Sequence, residues 1–432
     1  MSVASPTFVS TALQLEKVVP NAQKLWQDDQ NILWNRLKPR QVEKISGRAM
    51  RVPLKILRGG QGGFIDPGGG SFGRGQGYTP DVAQLNAIYT RFNVEITAAD
   101  LAATDGSEKA ITNFLTDNVA MGLEGFTAFN ETLLVGDGSA TLDSVVSFVT
   151  GPPYVITVNN PSMFADGQVI DVWSALGGTS RGSIQITSVD FVGKTLTINN
   201  TASTKFGTIA PGSLTGGLTN GDKLLANLAP GTAGSTILGI KYHQATRSSG
   251  TWLGLTVTTY PGKLTSPYVN ASSAPLSQGL VRLAEDKMRR ALGINAKEVD
   301  DFVWLMGLDM RAQWESLGTV ISQNIINQIS GDSSVDVLKK KPMSTAGGHE
   351  IIVSNRATPQ RIDGLCLEHW GRGETQPMGP YNLDGKVAHL TYGTDGSIGT
   401  SIMYNWWAGY NVFLDNPLAG CYSDGIQAQS GY

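Results

Sequence analysis

The chain has 432 residues, of which 16% are charged and 52 are glycine, and its formal net charge is −3. This length is too great for one small hydrophobic core, so at least two domains are expected, and the charge balance excludes the overall basic surface typical of nucleic-acid-binding proteins. Cys366 and Cys421 lie far apart in sequence, which excludes a disulfide framework and predicts folding in the cytosol.

The N-terminal segment predicts a helix followed by a basic stretch. It begins without a basic and apolar leader, so we expect no secretory signal, and no segment of the chain reaches the ~20 apolar residues of a membrane span. Apolar residues at helical spacing predict an amphipathic helix over 21–37. The first 60 residues contain ten Lys or Arg and four Asp or Glu, which indicates contact with an acidic partner or an ordinary solvated surface. The candidate basic face consists of Lys38, Arg40, Lys44 and Arg48.

A glycine-rich segment separates two stretches in which apolar and polar residues alternate. These stretches are Met50–Arg58 and Leu85–Ile96, and ten glycines lie between Gly59 and Gly77. The pattern predicts a long two-stranded arm with a flexible tip. Because an isolated hairpin is marginally stable in water, we expect this arm to cross onto a neighbouring subunit and not to pack on its own chain. The candidate contact residues are Arg58, Gly59, Gly63, Gly70, Arg74 and Gly77.

The middle of the chain predicts a long helix and then an all-β domain. Apolar residues at helical spacing predict the helix over 106–131. Residues 144–235 are rich in Thr, Val, Ile, Gly and Asn and contain several short alternating stretches. They predict a separate all-β domain, in which the turn Phe191–Lys194 joins two strands as a hairpin.

The last part of the chain mixes helices and strands. Ser277 is a candidate cap for a helix through Leu292 that ends at Gly293, and Phe302–Met306 predicts a buried strand. A further helix is expected from Asp309. Strands are predicted at HEIIVSN, GLCLEHW, KVAHLTYG, TSIMYNWW and GYNVFLD, so the fold class is α+β.

No motif in the sequence predicts catalysis. Gly69–Gly73 matches the spacing of a serine-hydrolase elbow, and Gly68, Gly70 and Gly73 match a dinucleotide fingerprint, but neither has the required strand before it and helix after it. Glu368 and Glu374 lack a second acid–base constellation. The histidines are scattered without metal-ligand spacing: His243, His349, His369 and His389. We therefore expect no enzyme activity, no cofactor and no metal.

Three stretches resemble those of a known family. They are LLVGDGSATLDSV after the predicted long helix, APLSQGLVRLAEDKMRRALG running into VDDFVWLMGLDMRAQWESLG, and GHEIIVSN before the C-terminal strands. Together with the glycine-tipped arm and the order of elements, they resemble the major capsid proteins of tailed bacteriophages with the Hong Kong 97-type fold. The resemblance implies an N-terminal arm (1–49), an extended β-hairpin loop (50–98), a spine helix with the start of the peripheral domain (99–143), an inserted all-β domain (144–235), and peripheral and axial domains (236–432).

The resemblance also implies a function. It implies a structural protein that self-assembles into hexamers and pentamers of an icosahedral virion capsid, in the host cytoplasm, around double-stranded DNA bound without sequence preference. Portal, scaffolding and decoration proteins are the implied partners, and no membrane is involved. Because no long charged helical segment precedes the arm, a separate scaffolding protein is expected in place of proteolytic maturation. Lys55, the one lysine on the arm, lies in its base strand, so the covalent cross-link found in the family is not expected.

Two alternatives remain for the function. An encapsulin-like bacterial compartment shell shares the fold but is typically shorter and lacks a large β insertion. A secreted carbohydrate-binding or hydrolytic β protein belongs to another class, and the missing signal and missing acid pair argue against it.

Overall fold

The computed structural model describes most of the chain, which folds into two compact units. The described residues are 31–40, 43–46, 49–57, 59–60, 74–97, 108–203, 206–293, 301–317, 345–346, 348–381, 388–392 and 398–429. The helices are α1 (Ile32–Arg36), α2 (Glu108–Val135), α3 (Ile240–His243), α4 (Gln278–Leu292) and α5 (308–317). None of the described helices is long and apolar enough to cross a membrane.

Unit 1 contains the described residues up to Asn35, Ile88–Glu131 and Glu374–Tyr410. The sheet of unit 1 contains one long strand, which the sequence analysis predicted as two separate strands. The strands are β4 (Ile88–Thr97), β19 (Trp370–Pro380), β20 (Ala388–Tyr392) and β21 (Ile398–Leu414); residues 370–373 of β19 and 411–414 of β21 belong to unit 2. Strand β21 lies between β19 and β20 and also pairs antiparallel with β4. The predicted break between TSIMYNWW and GYNVFLD is wrong, because Ala408 and Gly409 stay in register with Thr90 and Tyr89.

Helix α2 packs closely on this sheet because two of its residues lack a side chain. A Cβ atom added at Gly122 would lie 2.9 Å from the ring of Trp406, and one added at Gly125 would lie 2.9 Å from the ring of Phe92. The fully buried Asn130 fixes the other end of the contact, where its Oδ1 accepts hydrogen bonds from the Tyr410 hydroxyl (2.8 Å) and from Thr90 (2.9 Å). The sequence-predicted helix over 106–131 is thus confirmed and continues to Val135.

Unit 2 contains Arg36–Ala87, Thr132–Gly373 and Asn411–Tyr432. Its six-stranded sheet has the order β14-β22-β18-β15-β17-β16. The bounds of these strands are Tyr268–Asn270 (β14), Phe302–Met306 (β15), Thr345–Ala346 (β16), His349–Val353 (β17), Ile362–Cys366 (β18) and Gly420–Asp424 (β22). The predicted strand Phe302–Met306 is confirmed, and all five of its residues are buried.

Helix α4 covers this sheet and begins and ends where the sequence predicted. The Ser277 side chain accepts a hydrogen bond from the backbone N–H of Leu280, and Gly293 adopts the left-handed conformation with φ 70°. Val281, Ala284 and Met288 of α4 form a core with residues of the sheet such as Trp304 and Met306. The confirmed helix α5 contributes Met310 and Trp314 to the same core.

A buried ion pair lies beside this core. Arg361 donates to Asp363 Oδ1 over 2.6 and 2.8 Å, and both residues are almost completely buried. The Arg361 guanidinium also lies over the ring of Tyr422 at 4.1 Å and donates to the backbone carbonyl of Gln244. The pair therefore joins the start of β18 to β22 and to the end of α3.

A seven-stranded sheet occupies Thr141–Ala226 and has its own core. Its order is β5-β11-β8-β9-β10-β7-β6. The bounds are Thr141–Ser144 (β5), Ser147–Val149 (β6), Tyr154–Thr157 (β7), Val169–Trp173 (β8), Ser180–Asp190 (β9), Thr195–Ile198 (β10) and Lys223–Ala226 (β11). Inward-facing aliphatic residues such as Ile156, Ile170, Ile184 and Leu196 fill the core. The predicted hairpin at Phe191–Lys194 is confirmed, since Asp190 pairs with Thr195. The sheet begins at Thr141, before the predicted domain boundary at 144.

A three-stranded sheet holds the stem of the predicted arm, and the predicted second strand of the arm is wrong. Strand β2 (Ala49–Leu57) pairs with β1 (Glu43–Ser46) and with β3 (Thr79–Asn86), so only Leu85 and Asn86 of the predicted second strand Leu85–Ile96 pair with it. Most of the predicted second strand belongs to β4 of unit 1. Apolar residues alternate on both sides of Ala87, first at Ala83, Leu85 and Ala87 and then, one position out of phase, at Phe92, Val94 and Ile96, so the two strands resembled one, and Pro80 made the start of β3 resemble a loop. The predicted helix over 21–37 lies mostly outside the described residues, which contain its last turn as α1.

Candidate assembly surfaces

The β2–β3 hairpin packs on its own chain, so the prediction that the whole arm leaves its own subunit is wrong for this stem. Met50, Val52 and Leu54 of β2 and Leu85 of β3 are buried. They form a core with the hairpin of β12 (Thr251–Trp252) and β13 (Leu255–Thr256) and with residues that follow it, among them Trp252, Leu253, Leu255, Val257 and Leu264. No local signal in the sequence predicted these contacts, because the partners lie far along the chain. The other face of the stem is exposed and includes Leu57 and Val82.

The base of the tip is narrow because glycines face each other. A Cβ atom at Gly59 would collide with the backbone of Gln76 and Gly77, and the N–H of Gly60 donates to the Gln76 carbonyl over 2.6 Å. The structure therefore brings Gly59 and Gly77 together, although they are separated by the whole tip in sequence. Arg74 is exposed. The other predicted contact residues lie outside the described residues: Arg58, Gly63 and Gly70.

An exposed aromatic residue, which the sequence did not single out, lies at the base of the tip. Tyr78 is 59% exposed, and the Lys55 ammonium lies over its ring at 5.6 Å from the centroid. Lys55 remains in the stem strand β2 and faces Tyr78, not the tip. A solvent-exposed aromatic residue beside a glycine-rich tip is the signal that could have identified this position.

Carboxylates of the same chain pair with part of the predicted basic face. Lys38 is exposed, whereas Arg40 pairs with Asp415 over 3.1 Å. The neighbouring Arg36 pairs with Glu350 over 2.7 Å. Lys44 lies on β1, and Arg48 lies outside the described residues. Carboxylates of the same chain therefore neutralise part of the N-terminal positive charge.

Arg40 belongs to a clasp that holds the segment before β1, and the sequence did not predict it. The N–H of Arg40 donates to the Arg372 carbonyl over 2.9 Å, and the N–H of Arg372 donates to the Lys38 carbonyl over 3.1 Å. His369 Nδ1 lies 2.6 Å from the second oxygen of Asp415. This hydrogen bond raises the pKa of His369 above its ordinary value. Asp415 is thus shared between two cationic partners, which is an ion-pair arrangement and not that of a catalytic base.

The other histidines also have structural roles. His243 is fully buried among Tyr242, Trp252 and Trp370, and burial lowers the pKa of His243 to about 3. Its Nε2 lies 3.0 Å from the Val412 carbonyl, and its Nδ1 accepts from Trp252. The neutral imidazole therefore donates from Nε2 and joins α3 to β21.

Two further histidines lie in separate places. His349 lies 3.2 Å from Glu285, and the ring of His389 lies 5.8 Å from that of Tyr381. Among the described residues, no group of three or more His, Cys, Asp or Glu is arranged to hold a metal ion.

The two cysteines are buried free thiols. Burial raises the pKa of Cys366 to about 11 and the pKa of Cys421 well above its ordinary value. Neither thiol is a nucleophile at neutral pH, because only the thiolate attacks. The glycine motifs at 68–73 lie outside the described residues.

A polar cleft of about 410 Å³ opens between the end of α2, strand β5 and the loop at 358–360. The two carboxylates that line the cleft already accept hydrogen bonds from backbone N–H groups. Asp143 accepts hydrogen bonds from the N–H groups of Asn159 and Asn160, each over 2.7 Å, and Asp137 accepts from the N–H of Ser139 over 3.1 Å. The cleft thus carries no free acid–base pair among these residues.

Comparison with known proteins identifies the fold. No protein-family model and no curated protein matches the sequence. Among solved structures, the chain is similar to the Cyanophage A-1(L) capsid asymmetric unit, with 10% identity, coverage of 94% of this chain and 96% of that chain, and a TM-score of 0.51.

The chain is also similar to the capsid of a native GTA particle, with 8% identity, coverage of 97% and 99%, and a TM-score of 0.46. Its similarity to the holo-SrpI encapsulin complex from Synechococcus elongatus has 8% identity, coverage of 96% and 95%, and a TM-score of 0.43. At these identities the likeness concerns the fold alone, and of these three only the cyanophage comparison exceeds a TM-score of 0.5. The chain therefore has the mixed helix-and-sheet fold of a phage capsid subunit over nearly its whole length.

Proposed function

We propose that the chain is the major capsid protein of a tailed bacteriophage, located in the virion capsid, and that it assembles into hexamers and pentamers of an icosahedral shell. The observation that carries this proposal is the likeness in fold to a cyanophage capsid subunit, which covers 94% of this chain. A structural, non-enzymatic role is supported by the packing, ion pairs or hydrogen bonds in which these side chains are engaged: His243, His369, Cys366, Cys421, Asp143 and Asp415.

The element order supports a Hong Kong 97-type arrangement. In this arrangement β2 and β3 are the stem of the extended loop, and α2 is the spine helix. The sheet of Thr141–Ala226 is the inserted domain, which we expect on the outer surface. The described unit 1 corresponds to the peripheral domain, and the six-stranded sheet of unit 2 belongs to the axial domain.

The tip of the extended loop is the proposed contact with a neighbouring subunit. Its stem is fixed on its own core, and the facing Gly59 and Gly77 narrow the point where the tip leaves that core. Glycine permits several backbone conformations, which suits a subunit that must occupy unequal positions in hexamers and pentamers. Arg58 and Arg74 are the charged groups of the tip that can pair with carboxylates across such a contact.

Double-stranded DNA is the proposed content of the shell. Phosphate charge would be met without sequence readout by the free cations of the N-terminal segment. Lys38 is exposed and fits this role, whereas Arg40 contributes less because Asp415 already neutralises it. Lys44 and Arg48 stay in the proposal as the remaining members of this face. Portal, scaffolding and decoration proteins are the further expected partners, and assembly is expected in the host cytoplasm.

Charge reversal at the tip tests the proposed contact. The change R58E/R74E should prevent or weaken assembly while the circular dichroism and melting temperature of the unassembled subunit stay unchanged. The matched control is R282E/R290E, which reverses two exposed arginines on α4. Normal particles from R58E/R74E would remove the role of these arginines.

The nature of the packaged material separates the proposal from a bacterial compartment shell. Nuclease-protected DNA in particles from infected cells supports a capsid. Particles that contain a packaged enzyme and no DNA would support the encapsulin alternative.

A further inference from the structure

One end of the seven-stranded sheet carries three exposed apolar side chains. Val146, Phe191 and Val192 are 45%, 61% and 95% exposed. The register places them at the same end, because Thr157 of β7 pairs with Thr195 on one side and with Ser147 on the other. Val146 directly precedes Ser147, and the turn with Phe191 and Val192 directly precedes Lys194 and Thr195. Two strand spacings, about 10 Å, separate the two positions. We call these three residues the apolar rim.

The backbone of the turn does not need these apolar side chains. Asp190 Oδ1 accepts hydrogen bonds from the N–H groups of Val192 (3.0 Å) and Gly193 (2.9 Å), and Lys194 adopts a left-handed conformation with φ 52°. Asp190, Gly193 and Lys194 thus define the turn. The Phe191 and Val192 side chains project from this hydrogen-bonded turn into solvent. Exposed apolar side chains of this kind are typical of a surface that contacts another protein.

The size of the apolar rim indicates what covers it. Three such side chains expose a few hundred Å², which is well below the roughly 800 Å² per partner of a stable interface. The rim alone therefore cannot hold two free subunits together. It is sufficient as an added contact between copies that other surfaces already hold side by side, so the inference rests on the proposed self-assembly.

The charges beside the rim favour a second copy of the same surface. Asp190 is exposed and Lys194 is partly exposed, and neither takes part in the ion pairs found among the described residues. These two opposite charges lie four positions apart, so two identical rims that meet about a two-fold axis can pair Lys194 of one copy with Asp190 of the other. Strand β6 ends the sheet on this side, so its outer edge is open for the approach. We propose that the apolar rim of one subunit contacts the apolar rim of a second copy within the assembled particle.

Cysteine trapping tests this contact in the full-length chain. In V192C, mild oxidation should produce covalent dimers in assembled particles and few or none in the unassembled subunit. The control is L228C. Leu228 is another apolar residue of this region and is 70% exposed. Its backbone N–H donates to Asp171 of β8, away from the rim. The L228C chain should remain monomeric in both states. The native cysteines are buried and should give no background.

A second variant tests whether the contact stabilises the particle. V192D should lower the temperature at which particles dissociate without changing the melting temperature of the free subunit, because burying a carboxylate against the partner rim is unfavourable. Particles in which V192C chains stay monomeric, or V192D particles as stable as the parent, overturn this inference and leave the proposed function intact. Chains that never assemble overturn both.

Discussion

His243 makes the stability of the subunit depend on pH in a predictable direction. Burial lowers the pKa of His243 to about 3, whereas an imidazole in the unfolded chain has an ordinary value of 6.5. Below pH 6.5 the unfolded chain therefore binds a proton that the folded chain excludes. The free energy of unfolding falls as the pH decreases, by about 1.4 kcal/mol per pH unit, until the folded pKa is reached. Between pH 7.5 and pH 5 the loss from this one residue is about 2 kcal/mol.

The substitution H243Q isolates this contribution. A glutamine amide can still donate to the Val412 carbonyl but does not titrate, although the bond from Trp252 is lost. Urea denaturation of the unassembled subunit at pH 7.5 and pH 5 measures the free energy of unfolding of both chains. His369, whose raised pKa stabilises the fold at low pH and not at high pH, is present in both and cancels in the comparison. The parent chain should lose about 2 kcal/mol more than H243Q between the two pH values. Equal losses would show that His243 does not titrate as its burial requires.

Three further changes test the packing of the described units. G122A should destabilise the subunit by about 1 kcal/mol or more, since the clash with an aromatic ring outweighs the gain in helix propensity; G279A, whose added Cβ meets nothing nearer than 3.8 Å, should not. D363L should cost about 3–5 kcal/mol because it leaves Arg361 buried and unpaired, and R361M/D363L should cost less in the same urea titration. Replacing 145–222 with a Gly/Ser turn should leave a soluble, folded subunit, because β5 and β11 are already paired neighbours; insolubility of this chain alone would contradict an independent β domain.

Elements with local signals were predicted correctly from the sequence. The helix α4 has its cap at Ser277 and its glycine at Gly293, and the buried strand Phe302–Met306 is a short apolar run; both depend on residues close in sequence. The hairpin at Phe191–Lys194 was predicted for the same reason. Local propensity and spacing are sufficient where the interactions that decide an element lie within it.

Pairing between distant segments was not predictable in this way. Strand β3 and strand β4 follow each other across Ala87, and their pairing with β2 and with β21 decides where one ends and the other begins. The cover of the β2–β3 stem comes from Trp252 and its neighbours. For the same reason the clasp of Arg40 with Asp415 could not be seen, because each residue alone resembles a solvated charge.

Of the predicted contact residues on the arm, the structure locates Gly59, Arg74 and Gly77, and it assigns the glycines a role that spacing alone did not suggest. They allow two backbones to approach at the base of the tip. Arg58, Gly63 and Gly70 stay predictions. The flexible tip thus stays a prediction from the sequence pattern, whereas the packing of its stem required the three-dimensional partners.

Electron microscopy of the purified full-length chain tests the central claim most directly. The chain should form closed shells, or rings of six and five subunits, at concentrations at which the subunit is folded by circular dichroism. The same images of particles should show the fold described here arranged around five-fold and six-fold positions. A folded chain that remains a dispersed monomer under every condition of concentration, salt and added scaffolding protein would contradict the proposal that it builds a capsid.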